Sequence, residues 1–275
     1  GQPGEVAHPG DVPGALGDGD GPAGLEQVEE VAALDHGVVS GIDQPGFEQR
    51  ARLALTILEV PAVHVDVSML VYHEDTEETF RDLLSSHRNV SGVIVLAPNL
   101  NANPAIEHCR KRLLPFVVVN NNGAVANANS VDCDSYGGAL GATNHLIRLG
   151  HRRVAFIAGR DYPDARARLG GYRRALEEAG LESDEDLIVP GHFEESGGRE
   201  AMRALLARSP RPTAVFAAND QSAIGAMTVI KNTGLRIPED IAVVGFDDIP
   251  QAQYVEPGLT TVHQPSYRMG LRAAE

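Results

Sequence analysis

From Val65 onward the chain alternates short apolar runs with longer segments in which apolar residues return every three or four positions. VDVSMLVY (65–72), GVIVLA (92–97), PFVVVN (115–120), RVAFIAG (153–159), DLIVPG (186–191), residues 214–218 and residues 241–246 are too short for helices. They predict strands buried on both faces. Between them the helical period predicts TEETFRDLLSSH (76–87), with Phe80, Leu83 and Leu84 on one face, and PAIEHCRKRL (104–113), capped at Asn103. Further helices are expected at 134–149, 165–179 and 197–207. Another begins at Asn219-Asp220, carries Ala223, Ile224, Met227, Ile230 and Lys231 at helical spacing, and is stopped by Gly234 ahead of Pro238. Strand and helix in alternation imply parallel sheets with right-handed crossovers. Such sheets bind ligands at the carboxyl ends of their strands, which brings Asn120, Asn219 and Asp247 forward. The plainer reading makes Asn219 a helix cap and Asp247 a turn residue.

The first 64 residues follow no such pattern. Residues 1–24 hold eight Gly and four Pro, a composition expected to be disordered. Short helices are conceivable at 25–34 and 47–58. Residues 1–64 also contain 11 Asp/Glu against 2 Lys/Arg, so −9 of the formal charge of −15 lies there. That balance argues against the whole chain being a nucleic-acid binder, since phosphate contacts need clustered Lys and Arg. Cys109 and Cys133 lack metal-ligand spacing and suggest neither a disulfide framework nor a zinc site. No apolar stretch approaches a membrane span and no signal peptide is evident, so no membrane is expected and the cytoplasm is the simplest location. No phosphate loop, activated nucleophile or metal cluster is found, and neither an enzyme nor a cofactor is expected.

The early turns of the helix at 134–149 carry Gly137, Gly138, Ala139, Gly141 and Ala142, a surface suited to close helix packing. Gly150-His151 stops that helix, and His151 reads as a capping partner because no catalytic group accompanies it.

The segments VFAANDQSAIGAM, GLRIPEDIAVVGFDD and LTTVHQP, in this order, resemble the effector-binding core of the LacI/GalR family of bacterial transcription regulators. The resemblance continues upstream through SVDCDSYGGALGATNHLIRLGHRRVAFIAG and DARARLGGYRRALEEAG, covering roughly residues 65–275. It implies an α/β, two-lobed, periplasmic-binding-protein-like fold, with parallel sheets flanked by helices. Residues 65–160 would be the N-terminal lobe, 161–264 the C-terminal lobe and 265–275 a return crossover. The lobes would be joined near Gly159 and near 261–265. Family members continue beyond the equivalent of Glu275, so the C-terminus is expected to be truncated. Residues 1–64 match neither the family's helix-turn-helix nor its hinge helix. They read as an irregular segment, either a natural acidic extension or the product of a misplaced start or frame.

The resemblance also assigns effector contacts. Arg168 matches an arginine that grips ligand hydroxyls or a carboxylate, with Arg166 the weaker candidate. Asn219 matches an amide that donates and accepts, and Asp247 a carboxylate that accepts from hydroxyls. Phe193 falls where the family places an aromatic against the ligand's apolar face, and Gln264 is a rim contact at the crossover. Asn120 stands where many members carry Asp; it keeps hydrogen-bonding capacity without the charge. Arg168 as a solvated helix residue and Phe193 as ordinary core remain the competing readings. The implied function is a DNA-binding transcriptional repressor core, acting as a homodimer and controlled by a sugar or related polyol. Operator DNA would be the partner of a full-length member, but specific operator binding is not expected of this chain alone. The alternative is the solute-binding protein of a sugar transporter.

Overall fold

The computed structural model describes residues 92–96 and 104–275. The expectations for residues 1–64, the strand at 65–72, the helix at 76–87 and the Asn103 cap lie outside the described residues. The apolar runs within them form two sheets, both wholly parallel. In the first, β1 (Val93–Leu96), β2 (Phe116–Val119) and β3 (Asn129–Val131) stand in that order. Parallel neighbours need a long crossover, and α1 (Pro104–Arg112) supplies it between β1 and β2, burying Ile106 with Val95 and Val118. β3 was not anticipated, because its sequence, Asn-Ser-Val, shows no apolar run and its first two residues are exposed.

The second sheet has the order β5-β4-β6-β7-β8. Its strands are β4 (Val154–Ala158), β5 (Ile188–Pro190), β6 (Ala214–Ala217), β7 (Ala242–Asp247) and β8 (Thr260–His263). Alternation sends Ala155 and Ile157 of β4 to one face, where they pack with Val215, Met202, Leu205 and Ile230. Val154 and Phe156 go to the other face, with Phe216, Ala139, Tyr172 and Leu176. The first face is therefore covered by α4 (Glu195–Leu206) and α5 (Asp220–Asn232), the second by α2 (Ser135–Arg148) and α3 (Pro163–Glu178). Burial on both sides is why these strands read as unbroken apolar runs.

Local signals set the helix ends. The Asp134 carboxylate accepts from Gly137 N at 2.7 Å to open α2. Gly150, at φ +96°, closes it, with His151 N donating to Leu146 O at 3.2 Å. On α2, Ala139 and Ala142 are buried and Gly138 faces Phe246 and Val262, so the packing reading holds for these three; Gly141 faces open space. Where α2 meets α3, a Cβ on Gly171 would lie 2.3 Å from the Tyr136 carbonyl oxygen, so the two helices touch backbone to backbone.

The expected lobe boundary at residue 160 requires correction. β4 is hydrogen-bonded between β5 and β6, and α2 packs on the same sheet, so both belong with the second lobe. The chain crosses from the first sheet at residues 132–134, between the end of β3 and the Asp134 cap. Gly159, which looks like a joint after an apolar strand, marks only the carboxyl edge of the second sheet. The return crossing is also narrower than 261–265, because residues 260–263 are β8, paired with β7. Beyond Gln264, α6 (Ser266–Ala274) packs Met269 and Ala273 against Val119 of the first sheet.

Candidate functional site

The carboxyl ends of β4, β6, β7 and β8 lie side by side, and Arg168 of α3 reaches across them. Its side chain is 2% exposed. One terminal nitrogen, Nη1, donates to the Ala218 carbonyl just after β6 and lies 3.2 Å from Asp247 Oδ1 at the end of β7. The other, Nη2, donates to Gln264 Oε1 at 3.3 Å, just after β8, and lies 3.5 Å from Asp164 Oδ2 one turn earlier on α3. The guanidinium carbon sits 3.8 Å from the centroid of the Phe246 ring, so the cation is held against an aromatic face as well as between two carboxylates. A buried charge is tolerated only with this degree of pairing. Arg168 is thus not a solvated helix residue. By contrast, Arg166 is half exposed and pairs with Asp161 at 3.3 Å.

Asn219 fulfils the capping reading and more. Its Oδ1 accepts from Ser222 N at 3.0 Å, and its Nδ2 donates to the Phe193 carbonyl at 3.1 Å. It thereby ties the helix start to the 191–193 turn, where His192 and Phe193 adopt φ values of +59° and +65°. The Phe193 ring is buried and stacks on Tyr162, with centroids 6.3 Å apart, and lies 5.8 Å from the Arg168 guanidinium. Asp247 is buried with φ +112°. Gln264 is buried, its amide nitrogen donates to Asp247 O at 3.3 Å, and its side-chain Nε2 approaches Met269 Sδ at 3.9 Å.

Arg168, Asp247, Gln264, Asn219 and Phe193 are therefore one connected cluster. Asn120 belongs to the other sheet. It ends β2 at φ +59°, its N–H donates to Val131 O at 3.0 Å, and its Oδ1 is buried without a hydrogen-bond partner. Cys133, a free thiol at the crossing between sheets, lies near enough for Arg168, Asp164 and Asp247 to influence its ionisation; burial dominates and pushes the thiol up. Among the described residues no group of three or more His, Cys, Asp or Glu is arranged to hold a metal ion, and no helix is long and apolar enough to cross a membrane.

Sequence reasoning missed Asp164 and Phe246. Asp164 stands four residues before Arg168, the spacing at which helical side chains pair, so that signal was available. Phe246 was placed only in an apolar run, and nothing in the run marks which of its residues meets a cation.

A family model described as a periplasmic binding protein-like domain matches residues 143–275. The HTH-type transcriptional repressor CytR of Escherichia coli (strain K12) is 34% identical over 241 residues, covering 86% of this chain and 69% of the repressor. Solved structures of LacI-family regulators match 86% of this chain with TM-scores of 0.73. The chain belongs to the LacI family of transcription regulators. A solved complex of the transcriptional regulator CelR with cellobiose matches with a TM-score of 0.76 and 34% identity, covering 94% of this chain and 84% of that one. A LacI family regulator from Enterococcus faecium with bound ribose gives a TM-score of 0.73 at 29% identity, with 86% of each chain covered. The relatives are transcription regulators and not enzymes.

Proposed function

We propose that the described residues form the effector-binding core of a LacI-type repressor, with a sugar or related polyol bound between the two lobes at the Arg168 cluster. The observation that carries this reading is the sharing of one buried guanidinium among Asp247, Gln264 and the Ala218 carbonyl at adjacent strand ends. A ligand with neighbouring hydroxyls matches that arrangement. One hydroxyl accepts from Arg168 while donating to Asp247, so the effector inserts into an existing network of donors and acceptors. Phe193 and Tyr162 provide apolar surface for a sugar's carbon face, and Asn120 offers its amide oxygen from the opposite sheet. The cellobiose and ribose complexes of the similar regulators support this ligand class.

Gln264 links the cluster to the first lobe, because its Nε2 approaches Met269 Sδ and Met269, on the helix after the crossing, packs with Val119. An effector that shifts Arg168 and Gln264 changes the relation of the lobes. In a homodimer that movement alters the spacing of DNA-reading segments and hence operator affinity. The reading carries with it a cytoplasmic location, where operator DNA is.

A thermal-shift screen of mono- and disaccharides and polyols, cellobiose and ribose included, tests the ligand class. At least one is expected to raise the melting temperature in a concentration-dependent way, because a ligand that binds only the folded state stabilises it. No response to any hydroxylated ligand, with a response to compounds of another class, overturns the proposal.

A further inference from the structure

Asp220 is fully buried at the first turn of α5, and no ion pair compensates it among the described residues. Its partners are neutral donors. Oδ2 accepts the Ile249 N–H at 2.9 Å, Oδ1 accepts the Thr261 hydroxyl, and the Asp248 amide also donates to the carboxylate. These donors come from the turn that follows β7 and from β8, the two segments that deliver Asp247 and Gln264 to Arg168. The turn is an unusual backbone: Asp247 and Asp248, successive residues that are not glycine, have φ values of +112° and +58°. Such conformations persist only where surrounding contacts over-determine them. The rest of the sequence makes room for the tie. Gly245 stands opposite Thr261 in the β7–β8 register, and a Cβ there would come within 2.1 Å of Asp220 Oδ1. The charged group that acts on the Asp220 carboxylate is Asp248, whose Oδ2 lies 2.9 Å from His263 Nδ1.

We propose that Asp220 is a positioning residue for the effector site: it fixes the 247–249 turn and β8 to the start of α5, and so holds Asp247 and Gln264 in register with Arg168. It acts through those two residues, since both of its carboxylate oxygens are already taken up by donors of the protein, the Ile249 and Asp248 amides and the Thr261 hydroxyl. This rests on the assignment of the Arg168 cluster as the effector site.

Native-state hydrogen exchange, followed by NMR on the whole chain, tests it. In Asp220→Asn the amides of Ile249 and Gln264 and the guanidinium protons of Arg168 are expected to exchange at least ~10-fold faster, while the β4 amides of Phe156 and Ile157 keep their protection, as expected of local and not global opening. Thr261→Val, which removes one donor, is expected to change the same protons less, and Thr261→Ser, which keeps the hydroxyl, to restore wild-type rates. Unchanged exchange in Asp220→Asn overturns the proposal. So does equal acceleration of the β4 amides, or a Thr261→Ser variant that behaves like Thr261→Val. The readout needs no effector, so its failure is separate from that of the sugar reading, which would show as a wild-type protein deaf to every sugar in the screen.

Discussion

Arg168 illustrates how differently one residue type is used along a single helix. Arg166, Arg173 and Arg174 of α3 are substantially exposed and pair with carboxylates in solvent, where such pairs are worth little. Arg168 is buried among partners from three strand ends, and losing it removes the cation beside Asp247 and Asp164. Arg166→Ala is accordingly expected to leave sugar affinity within about twofold and stability within about 0.5 kcal/mol, as titration calorimetry and urea unfolding would show. Spacing alone did not separate these arginines. All lie on a helix rich in charge, and only the family resemblance picked out Arg168, because the partners that bury it are supplied by strands 50 to 96 residues later. Asp220 was legible only as part of a helix-start signal. Burial pushes its carboxyl up to about 6 from 3.8, against the Thr261 and Ile249 hydrogen bonds that pull it down. Between about pH 4 and pH 6 the folded protein holds a proton that the unfolded chain has released, so stability falls as pH rises through that window and levels off above it. Asp220→Asn removes this titration. The difference in unfolding free energy, wild type minus variant, is expected to decrease by up to about 3 kcal/mol across the window. A difference that does not vary with pH contradicts the assignment.

At the scale of elements, the strands that are buried on both faces were the legible ones. β2, β4, β6 and β7 fell where apolar runs stood, and helix ends fell near their Asp134, Asn219 and Gly150 signals. β3 and β8 escaped because they are short, polar and largely exposed, so their pairing comes from neighbours already in place and not from their own apolar content. The lobe boundary was misplaced for a related reason. No local feature tells that the partners of β4 lie later in the chain, whereas the sheet order shows it at once. The α2–α3 contact gives a test of packing at this scale. Gly171→Ala places a methyl against the Tyr136 carbonyl and the Leu140 amide, neither of which can turn aside as a side chain would. The helices must separate, at an expected cost of about 1–3 kcal/mol in urea unfolding, despite alanine's better helix propensity. Unchanged or increased stability would show that the two helices are not held at this distance.

At the scale of the molecule, the two parallel sheets of the described residues are linked by chain crossings at residues 132–134 and 264–265, with the Arg168 cluster beside the second. Gln264→Ala removes the side chain that spans from Arg168 toward Met269, and is expected to weaken sugar binding by roughly 1 kcal/mol, about fivefold, in calorimetry. The proposed function makes the buried guanidinium and its carboxylate partner the ligand's grip. It is tested by titration calorimetry of wild type, Arg168→Ala and Asp247→Ala with the sugar that gives the strongest response in the thermal-shift screen, all three proteins first shown to be folded. Each substitution is expected to cost roughly 1.5–3 kcal/mol, more than tenfold in affinity. Wild-type affinity in both would contradict it.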